Sequence, residues 1–411
     1  MKKILFFLLL GALLHSCSEK EDPSKSEYPN GILVKTNPDL GEGDWVGWIV
    51  IHSRDGSFTG MHKIARGGSA SFESLDQAYY HLTYFVKTIR SGGTEVVFGT
   101  TMLDVPVGKI YTLGMESGNF DSPNVTGEFK ILISRDPDIM GAYSSSSNGI
   151  LSNSSSFFPN LVEINQGIAK NSNNYMVVAY DKFGEFRYKN LTNIADQQQY
   201  EVNFSEMKPF DKTIPVPFSM GSLFEVTTLE DDGNKFKVGH VLTSSRHGNF
   251  SPQTSYKLGF LNDFDLYMTN VSYLTDGNRF SFTKVGAAPS SIDFPEAPNY
   301  ENWSLDKNNF HFQGPDWMTN YQLVYNSILQ SDGKMQMLTQ TIIGESETFF
   351  LEMPKELINE IPLLGRDDVY TSNYFNLYNS SFSYQDMIQN NLVSRPSRFE
   401  FETYLIGYSL K

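Results

Sequence analysis

The one thiol of this 411-residue chain, Cys17, closes an apolar leader, and no second cysteine exists to pair with it. An internal disulfide is therefore impossible, and the chemistry open to the thiol is modification or exposure. Other reactive groups are dispersed. The histidines beyond the leader are His52, His62, His81, His240, His247 and His311, with no HExxH pair and no cysteine beside any of them. That pattern lacks a zinc cage of familiar type, so no metal or cofactor is expected. His52 and His62 stand at similar distances from Asp55-Gly56 and are expected to face each other across that turn. Asp231, Asp232 and Asn234 carry calcium-type oxygens but lack the 12-residue pattern ending in Glu, so a hairpin turn is the better reading. There is no Gly-x-Ser-x-Gly elbow, Walker loop or GxGxxG fingerprint. Carboxylates are abundant, and a glycosidase pair needs two of them about 5 to 10 Å apart in a groove. Sequence spacing cannot place such a pair on strands.

One stretch gathers the most suggestive chemistry. Glu296, Glu301, Asp306 and Asp316 lie close in sequence to Trp303, Phe310, Phe312 and Trp317. Sugar rings stack their C–H faces on aromatic side chains while their hydroxyls bond amide and acid groups. Trp303, Phe310, Phe312, Trp317 and Asp316 are therefore the candidate ligand-binding residues. The competing reading is that aromatic residues in strands fill a core.

The leader fixes the address. Lys2 and Lys3 form a positive start, and Ile4 to Leu14 give an apolar run of 11 residues, the length of a signal core and too short to span a bilayer. Leu14-His15-Ser16-Cys17 resembles the lipobox of bacterial lipoproteins, with His15 departing from the usual small or β-branched residue. The resemblance implies a signal peptide over 1–16, acylation of Cys17 and anchorage in a lipid bilayer without a transmembrane helix. Each buried CH₂ of such an anchor contributes roughly 0.8 kcal/mol. Ser18-Glu19-Lys20-Glu21-Asp22 resembles the acidic export signal that follows the lipidated cysteine in Bacteroidota lipoproteins. Ser18, Glu19, Glu21 and Asp22 would then direct the protein to the cell surface side of the outer membrane. The plainer reading of 17–30 is a flexible, solvated tether.

Composition bounds the rest. The net charge is −15, and loss of Lys2 and Lys3 makes it more negative, so nucleic acid is excluded as a partner. Charged residues are only 19%, whereas aromatics reach 14% with 22 Tyr and 31 Phe. That balance reads as β-rich and extracellular.

Short alternating runs between Gly, Asn and Asp turns recur throughout. The expected fold is all-β, with tandem β-sandwich domains behind the lipidated tether. The expected regions are a β-sandwich over 31–115, a second β-domain over 125–218 and a C-terminal β-sandwich region over 222–411. Helix-like pieces are short: Leu75 to Tyr80, Pro354 to Ile361 and Tyr384 to Asn390. Ser144 to Gly149 and Ser152 to Ser156 read as low-complexity polar loops, and Pro209, Pro215 and Pro217 mark an edge or a linker. The strand–Asp55-Gly56–strand opening and the Val105-Pro106-Val107-Gly108 turn resemble the prealbumin-like or carboxypeptidase-regulatory-like β-sandwich of Bacteroidota envelope proteins. In that family the module is mostly structural, which implies packing or docking.

The expected function is a non-catalytic binding module on an outer-membrane lipoprotein, with a polysaccharide or an envelope protein as partner. One alternative is a structural or adhesive anchor subunit of a surface assembly. A second is a glycan-active hydrolase.

Overall fold

Period-2 alternation becomes strand almost everywhere: the computed structural model is 62% strand and 7% helix, an all-β sandwich fold. It describes residues 28–409 apart from 29, 39–44, 91–92, 115–123, 135–138, 150, 159–160, 171, 218–221, 234, 246–254, 300–302, 307–308, 332–333, 367–370 and 395–397. Cys17, Ser18, Glu19, Glu21 and Asp22 lie outside the described residues, as do His247 and Glu301.

The organising element is a twelve-stranded sheet that joins both ends of the chain. Its N-terminal portion consists of Trp45–His52, Phe58–Ile64, Tyr79–Ile89 and Glu95–Pro106. Glu95–Pro106 then pairs in parallel with Lys334–Gly344, in the register Phe98 to Thr339 and Thr100 to Thr341. Antiparallel partners continue the sheet through Asn320–Ser331, Thr371–Ser380, Phe401–Ser409, Asn278–Gly286 and Leu266–Thr275 to Leu223–Asp231 and Phe236–Ser244. Segments 31–115 and 222–411 thus share one hydrogen-bonded sheet.

Smaller layers cover parts of it. Ile32–Thr36, Ser69–Phe72 and Lys109–Leu113 form a three-stranded sheet. It packs Ile32, Val34, Phe72 and Tyr111 against Ile49, Ile51, Leu82 and Met102. The opening hairpin turns at Gly56, whose φ of +86° suits a residue without Cβ. An eight-stranded sheet spans Val125–Ser134 to Lys208–Pro209 and encloses its own core of Phe129, Ile131, Val162, Tyr175 and Val177. The proline-rich Lys212–Pro217 forms a two-stranded sheet with Ser255–Phe260.

Two expectations fail locally. Leu75 to Tyr80 is not helical; Tyr79–Ile89 is already strand. The Tyr80 hydroxyl holds the preceding turn, donating to Asp76 Oδ1 at 2.7 Å and accepting from the Gln77 N–H at 3.3 Å. The serine runs are not loops either: Ile139–Ser146 is a strand with Ser144, Ser145 and Ser146 buried, and Ser152 to Ser156 lie in the strand Leu151–Phe158. The small side chains of Ile139–Ser146 let it lie against Phe236–Ser244, where the Val241 N–H donates to Ser145 Oγ at 3.1 Å and Tyr143 Oη to the Leu242 carbonyl at 3.0 Å. The other short helical pieces form, as Lys355–Glu360 and a Tyr384–Ile388 helix with a Ser383/Asp386 capping box.

Candidate functional site

Four adjacent strands of the large sheet have opposite faces of opposite character. Along Asn320–Ser331, the residues Tyr321, Leu323, Tyr325 and Ser327 point inward and are buried, whereas Gln322, Val324 and Asn326 point outward. The pleat repeats this in Lys334–Gly344, with Leu338 and Ile342 inward and Met337, Thr339 and Thr341 outward. In Thr371–Ser380, Phe375 and Leu377 are buried while Tyr374, Asn376 and Tyr378 face out, and Glu95–Pro106 adds Phe98 and Thr100.

No charged side chain stands among these outward residues. Three apolar side chains dominate the surface, Ile328 at 58%, Tyr374 at 53% and Phe98 at 46% exposed. The polar groups between them brace one another. Thr339 Oγ1 donates to Asn326 Oδ1 at 2.8 Å, while Asn376 Nδ2 at 3.1 Å and Tyr378 Oη at 3.0 Å both donate to Gln322 Oε1. Desolvation pushes the Tyr378 phenol up to about 12, so it stays protonated as a donor. Hydroxyl and amide pairing continues across the sheet: Ser281 to Ser272 at 2.9 Å, Thr283 to Asn270 at 3.1 Å, and Ser380 with Thr403 at 3.1 Å. This surface offers fixed hydroxyls and amides between aromatic platforms, the chemistry of sugar recognition.

The aromatic stretch singled out in the sequence lies against the inner face of the same strands. Phe310 and Phe312 are only 3% and 4% exposed and sit in the cluster with Tyr321, Leu323, Phe375 and Tyr408. Phe310 packs at 4.4 Å from the Phe349 ring, and Trp303 meets Phe312 and Phe375 edge-on at 5.5 Å each. Trp303 and Trp317 are half-buried against that cluster, and Asp316 is exposed in the turn before Met318. The short sheet of Ser304–Asp306, Asn309–His311 and Thr348–Phe349 carries this layer. Phe310 and Phe312 thus have no free face for a ligand. Glu296 and Asp306 are exposed.

His52, His62, His81 and His240 are absorbed by structure. The hairpin register pairs His52 with Phe58 and, past a bulge, Ile49 with His62, so His52 and His62 do not face each other. His52 instead stands opposite His81. His62 packs on Phe72 at 4.9 Å, and His240 Nδ1 lies 3.2 Å from the Ser145 carbonyl. Asp231 and Asp232 close a hairpin, accepting from the Gly233 and Lys235 N–H groups at 2.8 Å. Among the described residues, no three His, Cys, Asp or Glu side chains gather as a metal-holding group.

A second polar cluster lies where Glu95–Pro106 meets the C-terminal segment. Asp104, at the unusual φ of +50°, accepts from Arg54 Nε at 2.7 Å and from Ser346 Oγ at 2.8 Å. Its carbonyl accepts from Gln385 Nε2 at 3.1 Å. Its N–H donates to His81 Nδ1 at 3.1 Å, which leaves the His81 proton on Nε2 to bond the Arg54 carbonyl at 3.2 Å. His52 Nε2 bonds the Glu352 carbonyl at 2.9 Å. Burial lowers His81 and takes His52 down to about 4, so both are neutral imidazoles. Glu345 is raised by desolvation and by the Asp104 charge. Although Ser, His and Asp come together here, both His81 nitrogens are engaged by backbone and neither reaches Ser346. The cluster ties two parts of the chain together and lacks the nucleophile–base contact of a hydrolase.

No protein family matches this sequence, and no curated protein matches it. Among solved structures, a match covers 88% of this chain and 96% of the other, described as a "Ca2+-stabilized adhesin" that helps an Antarctic bacterium "reach out and bind ice". It has 9% identity and a TM-score of 0.12, too low for the two folds to be equated.

Proposed function

We propose that this chain is a lipoprotein anchored through Cys17 on the outside of the outer membrane, and that its outer sheet face binds a neutral glycan without catalysis. The observation that carries the binding role is the charge-free surface of Phe98, Thr100, Asn326, Thr339, Thr341 and Tyr374 on a chain of net charge −15. An acidic protein that captures a neutral ligand has reason to keep one face free of charge, since each unpaired charge would hold water against it. The apolar leader and the position of the single cysteine support the anchor, and the acidic residues Glu19, Glu21 and Asp22 support outward display.

Protease accessibility on intact cells tests the address. The wild type should be cleaved, Cys17→Ala should lose the membrane fraction, and replacing Glu19, Glu21 and Asp22 by Ala should leave a lipidated but protected protein. A wild type protected until the outer membrane is opened would refute surface display. Binding is tested separately, by calorimetry of the soluble chain against neutral α-glucan, β-glucan, mannan and xylan.

A further inference from the structure

The spacing of the two exposed rings carries information about ligand length. Phe98 lies on Glu95–Pro106 and Tyr374 on Thr371–Ser380, with Lys334–Gly344 and Asn320–Ser331 between them. Three strand spacings separate them, roughly 14 Å across the sheet. The register adds an offset along the strands: Phe98 stands level with Thr339 and Asn326, whereas Tyr374 is level with Val324, Thr341 and Thr100. That two-residue step is about 7 Å. A single sugar ring cannot touch both.

The floor between the rings is polar and fixed. Asn326 accepts from Thr339, which leaves its amide N–H groups to donate upward, and Thr341 and Thr100 add hydroxyls on the row of Tyr374. Gln322 lies one row beyond Tyr374, opposite Asn376, with its Oε1 occupied by Asn376 and Tyr378. Between the rings, Thr339 and Asn326 on the row of Phe98 and Thr341 and Thr100 on the row of Tyr374 thus supply polar groups, interrupted by Val324 beside Tyr374.

Charge narrows the class. The outward residues of the four strands, from Val96 to Thr100, Met337 to Thr341, Gln322 to Ile328 and Tyr374 to Tyr378, include no acid and no base. Arg279, on Asn278–Gly286 beyond Phe401–Ser409, is the nearest outward charge by strand order, level with Gly407 and Asn376. A polyanion would find no row of cations here. Ile328, Met337 and Val96 form an apolar row beside Phe98, so a second copy of this chain is the competing occupant that the test below separates.

We infer that the ligand is an extended neutral polysaccharide laid across the strands, resting on Phe98 at one end and Tyr374 at the other. This rests on the glycan-binding reading above and adds to it the ligand's length, direction and two-platform attachment. Two weak contacts joined by one chain act through effective concentration, so affinity rises steeply once an oligomer spans both.

The test is calorimetry of the soluble wild-type chain with mono-, tri- and hexasaccharides of the neutral glycan it captures, alongside Phe98→Ala and Tyr374→Ala. Both side chains are exposed, so both variants should fold with unchanged melting temperature. The hexasaccharide should bind wild type at least about tenfold more tightly than the trisaccharide, and either substitution should remove about tenfold and with it the length dependence. Equal affinity for tri- and hexasaccharide, or sensitivity to only one of the rings, would overturn the two-platform inference while leaving glycan binding intact. Binding to no neutral glycan would overturn both. Concentration-dependent dimerisation abolished by Tyr374→Ala would assign the face to a second copy and refute the inference.

Discussion

The inner and outer faces of Asn320–Ser331 and its neighbours use the same residue types for opposite ends. Inside, Tyr321, Tyr325 and Phe375 meet Phe310, Phe312 and Trp303 in an aromatic core. Outside, Tyr374 is exposed beside the half-buried Asn376, Tyr378, Gln322 and Thr339. The difference is the covering layer. Ser304–Asp306, Asn309–His311 and Thr348–Phe349 lie over the inner face, whereas on the outer face the sheet of Ile32–Thr36, Ser69–Phe72 and Lys109–Leu113 and the Tyr384–Ile388 helix cover the neighbouring row of Met102 and Ile343 and leave Phe98 and Tyr374 exposed. Aromatic content therefore says little about ligand binding until the side of the sheet is known.

The contrast breaks first at the core. Phe310→Ala should cost about 3–5 kcal/mol, read as a lower denaturant midpoint, because the cavity lies among rings that cannot collapse into it. The exposed Tyr374→Ala should fall within about 0.5 kcal/mol of wild type. Similar losses for the two would mean that the outer face is also packed.

Acid should separate the faces next. His52 is buried, with a folded pKa of about 4 against an unfolded value of about 6.5. The unfolded chain binds the proton first, so stability is full above about 6.5 and falls as pH drops toward 4, by about 3 kcal/mol in total. His81 and His240 are lowered too and act in the same direction. Glu345 is raised and opposes them, its contribution being present at low pH and lost as pH rises through its folded pKa. The described outer face carries no histidine between Phe98 and Tyr374. Unfolding curves should thus shift strongly between pH 7 and 4.5, while glycan affinity of the folded chain stays flat. His52→Gln should reduce the acid shift, and an unchanged shift would remove His52 from this account.

A smaller effect is expected where the two segments are tied. Asp104→Asn keeps the shape but loses the charge that Arg54 and Ser346 bond, so about 1–3 kcal/mol should go. Arg54 is largely solvent-exposed, which favours the lower end. Chemical denaturation with and without salt reads this, and no change in either would show that the backbone bonds of His81 and Gln385 suffice. Smallest of all, Gln322→Ala should cost about 1 kcal/mol, because the Tyr378 hydroxyl and the Asn376 amide lose their shared acceptor. It should also weaken glycan binding, because that acceptor orients them. Intact affinity would limit the site to the two rings.

Strand content was legible because alternation in Trp45 to His52, Gln322 to Ile328 and Met335 to Ile343 has period 2 and the turns between carry Gly and Asp. The side of the sheet that would stay open was not. Gln340 and Ser327 are as polar as Thr339 and Asn326, yet they point inward and are buried. Facing depends on which strands pair, and the decisive pairing, Glu95–Pro106 with Lys334–Gly344, links residues some 240 positions apart. The same distance hid the Asp104 cluster, whose partners come from Arg54, Ser346 and Gln385. Within 303–317, Phe310 and Phe312 line the hidden face of strands whose other face carries the amide and hydroxyl pairs, whereas Asp316 is exposed.

The most direct test compares Tyr374→Ala with wild type for capture on neutral polysaccharide, melting temperature being measured on the same samples. The account predicts capture by wild type, loss of capture by the variant, and equal melting temperatures. Equal capture by both proteins would contradict the assignment of the outer face as the binding surface.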